Sequence, residues 1–240
     1  MEAAVRTLKK APPTALFGMV VILFYVFLAI FAPVISPYGE TEIVGNEFEP
    51  WGAEYLMGTD NLGRDMATRL IYGARNTIGI AFITTCLAFA IGITMGFLAS
   101  TLGGWVDQLT SRVVDILMAI PSLIFALLLL TIFGTSVLSL VIIIAVLDST
   151  RVFRLSRAVS QGIVVMDYVE VARLRGEGLW YVMRHEILPN AMPPLVAEFG
   201  LRFCFVFLFI SALSFLGLGI QPPTADWGSM VRDNATLITF

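Results

Sequence analysis

The chain has 240 residues, 58% of them hydrophobic and only 14% charged, where a soluble domain carries about 25% charged residues. Its net charge of −3 offers no nucleic-acid surface. The charges gather into a few stretches between long apolar runs, which excludes an ordinary soluble domain and predicts an all-α polytopic membrane protein.

Along the chain, Arg6, Lys9 and Lys10 precede an uncharged, mostly apolar run at 15–35. That run exceeds the roughly 7–15 residues of a secretory core, so it is expected to be an uncleaved first span at about 16–35. A polar stretch at 36–75 follows. The uncharged run 76–106 holds the second span, in which Ala88, Gly92, Gly96 and Ser100 recur every four residues. Such a small-residue face permits close backbone approach and reads as helix packing rather than a solute path. Cys86 and Cys204 lie inside apolar runs as small core hydrophobes, with no disulfide framework. The third span is predicted at about 113–133, the fourth after a Gly134-Thr135-Ser136 turn at 137–152, and the last between 192 and 220. Only 32 uncharged residues separate Asp115 from Asp148, too few for two full spans of about 20 residues each. Either both aspartates sit at the cytoplasmic ends of their helices, the favoured reading, or the pair is a re-entrant hairpin.

Basic residues set orientation. The N-terminal stretch has three and 151–184 has six arginines, against three arginines with seven acids in 36–75. The positive-inside rule then puts the N-terminus and 151–190 in the cytoplasm. The organisation expected is 1–35 as N-terminus and first span, 36–75 as an outside loop, and 76–240 as a core with a cytoplasmic loop at about 153–190.

That loop carries the most informative segment, MDYVEVARLRGEGLWYVMRHEILPN at 166–190. Asp167 and Glu170 have capping-box spacing, and Met166 with Val171 the spacing of a hydrophobic staple. Arg173 and Arg175 suit the negative end of a helix, and Gly176 suits a left-handed stop. A helix of about two turns is predicted at 168–175, then a second short helix from about Leu179 ending before Pro189. A helix this short is marginal in water and needs a partner surface. Lipid is one candidate; the small apolar face, broken by Glu170 and the arginines, suits a protein better.

The segment resembles the "EAA" loop of bacterial ABC importer permeases: Glu170-Val171-Ala172, three residues, Gly176, then Leu188-Pro189, with Val171 in place of the first alanine. GTDNLGRD at 58–65, RVVDILMAIPSL at 112–123 and LSFLGLGIQPPTADWGSM at 213–230 are similar to the dipeptide/oligopeptide/nickel group of that family, with Ala225 where proline is common. The resemblance runs from about Leu16 onward. It implies a six-span fold of which five spans are expected here, the final one falling beyond Phe240. It also implies a bacterial inner-membrane location and a coupling helix in the 153–190 loop. The implied partners are ATP-binding subunits, a second permease subunit in a heterodimer, a periplasmic solute-binding protein and the lipid bilayer. On this resemblance the coupling residues are Asp167, Glu170, Ala172, Gly176, Leu188 and Pro189. Glu170 reads as a charged contact with the ATPase or as half of a capping box, and Leu188 and Pro189 more as the end of the loop than as a contact.

Within the spans, Asp115, Asp148, Arg151, Glu198 and Arg202 are candidate polar contacts. Glu198 and Arg202, four apart in the favourable acid-first order, either line a pathway and lock to Asp148 or Arg151, or sit near the cytoplasmic face with Arg202 snorkelling. Asp60, Arg64 and Asp65 read as a turn held by local side-chain bonds rather than a metal or catalytic dyad. The outside loop and 221–227 are candidates to face the binding protein. Catalysis, cofactor and metal are expected to be none: Lys9 and Lys10 are the only lysines and neither follows glycine, so no phosphate-binding G-x-x-x-x-G-K-[ST] loop exists, and His185 is the sole histidine. The alternative is an ion-coupled secondary transporter using Asp115, Asp148 and Glu198.

Overall fold

The structure is a computed structural model that describes residues 12–235. Arg6, Lys9, Lys10 and Phe240 lie outside the described residues. Helices dominate, and among the described residues extended pairing is limited to two isolated bridges, Ile43–Arg64 and Thr59–Asp65. The chain divides into two compact units, Met1–Gly79 with Pro222–Phe240, and Ile80–Gln221.

In the first unit, α1 (Pro13–Ile35) begins with proline at its first position, where the missing N–H costs nothing. Its 23 residues reach about 35 Å, enough for the hydrocarbon core. Only Ala32 is buried, and Phe17, Val20, Ile30 and Val34 are exposed around it, the surface of a helix solvated by lipid. The segment after α1 is knitted by local polar bonds. Gly63 O accepts from the amides of Val44 and Gly45, and the Thr59 hydroxyl donates to Asn46 O and accepts from Glu49 N. The Tyr55 hydroxyl donates to Val44 O at 2.7 Å; burial, then Glu54 and Glu49, push this phenol above its usual range and keep it a donor. Asp60 Oδ1 accepts from the amides of Leu62 (2.8 Å) and Arg64 (3.0 Å), the Asx turn expected from its sequence. Its other oxygen meets the side chains of Arg64 and Arg69. Asp65 Oδ2 accepts from Thr68 N at 2.7 Å and so starts α2 (Met66–Leu102).

The rest of α2 belongs to the second unit. A break at Gly103 and Gly104, both at positive φ, leads to α3 (Gly104–Ala119) and then α4 (Ser122–Phe133). Pro121 stands at the junction, where α3 and α4 bend by 90°. Next come α5 (Val137–Val164), capped by Ser136, whose hydroxyl accepts from Ser139 N, and α6 (Asp167–Leu174). α7 (Leu179–Tyr181) continues through a π-helical turn, Val182–Ile187, into α8 (Leu188–Phe215).

The small-residue face of α2 packs on α5. A Cβ at Gly92 would stand 2.6 Å from Val152 Cβ and 2.8 Å from Ser149 O, and one at Gly96 would collide with Ser156 Oγ. The approach is used for bonding: Ser156 Oγ donates to Gly92 O at 3.0 Å, and Ser160 Oγ donates to Ser100 Oγ at 2.6 Å. The apolar core joins Ala126 and Leu130 of α4, Leu140, Ile143 and Ile144 of α5, and Val206, Ile210 and Leu213 of α8.

Three described helices are long and apolar enough to cross a membrane: Pro13–Ile35, Met66–Leu102 and Leu179–Phe215; the bent pair α3–α4 makes a fourth if counted as one span. α5 is absent from this set because Asp148, Arg151, Arg154 and Arg157 interrupt it, leaving 137–147 as its longest uncharged run. The bend in α3–α4 likewise has no counterpart in the straight third span expected from sequence.

Candidate functional site

The loop after α5 folds as a two-faced helix and its tether. α6 starts one residue earlier than expected: Met166 is the extended N-cap, with no side-chain cap bond, and Asp167 is the first helical residue. The expected capping box is therefore not formed. The Met166 carbonyl accepts from the amides of Val169 and Glu170 instead, while Asp167 and Glu170 place carboxylates in the first turn, where the helix dipole favours them. The C-terminal stop is a Schellman motif. Glu177 N donates to Ala172 O (3.2 Å), Gly176 N to Arg173 O (2.9 Å), and Gly176 holds φ +84°.

Val169 and Ala172, three apart, are fully buried against Phe97, Val182, Met183, Ile187, Ala191 and Leu195. On the other face Tyr168, Val171 and Leu174 are exposed, Leu174 by 81%, with Met166 and Trp180 beside them in sequence and also exposed. Glu170 is exposed as well. A helix of eight residues thus uses alternate sides to bind its own unit and to present an apolar strip ringed by charge.

The second short helix does not end before Pro189. The chain runs from Leu179 to Phe215 as one 37-residue helix, with Leu188 and Pro189 opening α8. A proline inside an α-helix lacks an N–H and strikes the carbonyl four residues earlier. Here the six-residue π turn immediately precedes it, and wider winding moves that carbonyl aside. Leu188 is half-buried and Pro189 exposed.

The polar residues of the spans fall into separate sets. Asp115 pairs with Arg154 at 2.7 Å, both side chains about half exposed. Asp107 takes a two-pronged bond from Arg157. Asp148 of α5 and Glu198 and Arg202 of α8 form a buried cluster: Arg202 Nε lies 2.7 Å from Glu198 Oε1 and its Nη1 3.6 Å from Asp148 Oδ1. The guanidinium carbon also stands 4.7 Å from the Phe205 ring centre, a cation–π distance. The Arg202–Asp148 contact joins α8 to α5. Arg151 is exposed and lines a cleft beside Asp148.

Sequence reasoning passed over Glu40. Its Oε1 accepts from Ala225 N at 2.6 Å and from Asn76 Nδ2 at 2.8 Å. Beside it, buried Asp226 accepts from the Thr77 hydroxyl (3.0 Å) and Ser229 N (2.9 Å), and Trp227 Nε1 donates to Leu70 O. The Glu40–Ala225, Thr77–Asp226 and Trp227–Leu70 bonds join residues 149 to 185 apart in the chain, so no local spacing signals them. The 221–227 segment and the start of α9 (Trp227–Ala235) are tied by these bonds to the start of α2.

The comparisons with known proteins give this helical membrane protein its class and family. Residues 88–240 match the binding-protein-dependent transport system inner membrane component, and residues 3–50 the N-terminal TM domain of oligopeptide transport permease C. The chain belongs to this family of binding-protein-dependent inner-membrane transport components, and it is a permease subunit of an ABC importer. It is 35% identical over 98% of its length to the dipeptide transport system permease protein DppC of Alkalihalophilus pseudofirmus, covering 77% of that protein. It is 38% identical over 90% of its length to the di/tripeptide transport system permease protein DppC of Pseudomonas aeruginosa, covering 74% of it. In fold it is similar to a chain from the crystal structure of an amino acid ABC transporter with histidines, with a TM-score of 0.52 and 19% identity over 72% of this chain and 81% of that one.

Proposed function

We propose that this permease subunit imports dipeptides or similar small peptides through the bacterial inner membrane, and that it takes its energy from separate ATP-binding subunits seated on α6. In this reading Tyr168, Val171 and Leu174 enter an apolar groove of the ATP-binding subunit and Glu170 meets a basic group at its rim. Ala172 is the small residue that lets α6 lie flat on its own unit, and Gly176 fixes the turn that aims the helix. Leu188 and Pro189 tie the loop to α8. A second permease subunit completes the pathway, a periplasmic solute-binding protein delivers the solute, and the N-terminus is cytoplasmic. The subunit itself hydrolyses no ATP.

The observation that carries the coupling assignment is the two-faced burial of α6. Val169 and Ala172 are at 0% exposure, while Leu174 and Val171 on the same two turns are at 81% and 51%. An exposed apolar strip ringed by charge is costly unless another protein covers it. Relatives named for dipeptide and di/tripeptide transport support the solute class.

The test uses the complex assembled in liposomes with its ATP-binding subunits. Glu170→Ala and Leu174→Ser are expected to lower peptide uptake and solute-stimulated ATP hydrolysis at least fivefold. Normal assembly, uptake and stimulation in both variants overturns the assignment.

A further inference from the structure

The cluster on α5 and α8 leaves Asp148 incompletely bonded. Arg202 is 9% exposed and lies between two carboxylates, Glu198 at 2.7 Å and Asp148 at 3.6 Å. The closer contact neutralises Glu198. Asp148 is left with a long contact on one oxygen, and its Oδ2 is buried with no hydrogen-bond partner. A carboxylate oxygen buried without a partner is costly unless a donor completes it.

Asp148 lines a half-open cleft of about 80 Å³, together with Ser122, Leu147, Arg151, Phe205 and Phe209. A single water needs about 10–15 Å³ measured in this way, so the cleft holds a group of several heavy atoms. Its chemistry is graded: a carboxylate, a hydroxyl, two aromatic rings and an arginine at hand.

We propose that this cleft is a solute subsite within the permease, in which Asp148 receives the ammonium end of a transported peptide. Phe205 and Phe209 take the first side chain, and Arg151 is placed for carbonyl or carboxylate oxygen. Arg202 is a positioning residue, since it holds the Asp148 carboxylate through its second nitrogen and touches no solute. The subsite rests on the peptide-import reading above and adds to it a point of recognition separate from the solute-binding protein.

The experiment measures equilibrium binding of radiolabelled Ala-Ala to the assembled transporter without its binding protein, alongside uptake with the binding protein present. On the unaltered complex Ala-Ala is expected to bind at least tenfold more tightly than its des-amino analogue. In Asp148→Asn that gap closes, and in Asp148→Glu most of it returns. Ser122→Leu keeps every charge and fills the cleft, so it is expected to weaken Ala-Ala binding at least fivefold; it answers the question if Asp148→Asn does not assemble. A gap unchanged in Asp148→Asn, or Ala-Ala binding unchanged in Ser122→Leu, overturns the subsite. So does an unaltered complex that imports Ala-Ala and yet shows no binding. An unaltered complex that assembles with its ATP-binding subunits but imports no peptide overturns the peptide-import reading instead.

Discussion

Glu40 accepts the amide of Ala225 at 2.6 Å, a bond that closes 185 residues of chain. The position is one where the resembled family commonly carries proline, which has no N–H to give. In this protein the alanine is part of the bond. Ala225→Pro is therefore expected to destabilise, although it matches the family pattern, because Glu40 keeps only Asn76 as donor. The loss expected is about 1–3 kcal/mol, or a fall of several degrees in the unfolding temperature of the detergent-solubilised protein. An unchanged midpoint excludes a stabilising role for the bond.

The α2–α5 contact gives a paired expectation. Gly96→Ala puts a methyl into Ser156 Oγ and within 2.9–3.0 Å of the Arg157 N and Phe153 O backbone atoms, so about 1–3 kcal/mol should be lost to overpacking. Gly200→Ala on α8 meets nothing within 4 Å and should gain about 0.5–1 kcal/mol from helix propensity. Opposite signs in thermal unfolding are the signature. Two equal shifts would mean that helix separation is not set at Gly96.

Gly176 isolates a backbone effect. A Cβ there touches nothing within 4 Å, yet φ is +84°. Gly176→Ala should cost about 1–2 kcal/mol of local stability, and Gly176→Asn less, since asparagine tolerates this region better. Hydrogen exchange of the α6 amides reads the difference directly; equal protection in all three proteins would remove the turn as a constraint.

The ion pairs should rank by burial. Asp115→Asn breaks a pair whose two side chains are each 52% exposed, and the change should stay within about 1 kcal/mol. Arg202→Met removes the guanidinium that lies between Asp148 and Glu198, and about 3–5 kcal/mol is expected. Comparing the two variants' unfolding midpoints checks the order, and a larger effect from Asp115→Asn would reverse it.

What was legible in the sequence is what local chemistry determines. The small-residue face of α2 follows from a four-residue period. The Gly176 stop and the Asp60 turn depend on neighbours within five residues, and the structure has all three. The start of α6 was placed one residue late, because Met166 gives an extended N-cap without a side-chain oxygen, and composition cannot tell that arrangement from a cap at Asp167. Pro189 was read as a boundary since its steric rule concerns α-winding; the π turn that relieves it has no sequence signal of its own. The Glu40 and Asp226 bonds join distant segments, and only the fold brings them together. For Asp148 and Arg202 the sequence offers a pairing among alternatives, and the packing of α5 on α8 brings the two side chains to 3.6 Å.

The continuous helix from Leu179 to Phe215, π turn included, is about 55 Å long. Its contact with α5 at Arg202 lies about 35 Å from the Leu179 end and about 20 Å from the Phe215 end. Were the helix to turn about that point as one body, it would act as a lever with unequal arms: a stroke at the loop end would arrive at the other end reduced by nearly half and reversed in direction, with the Arg202–Asp148 contact as its fulcrum.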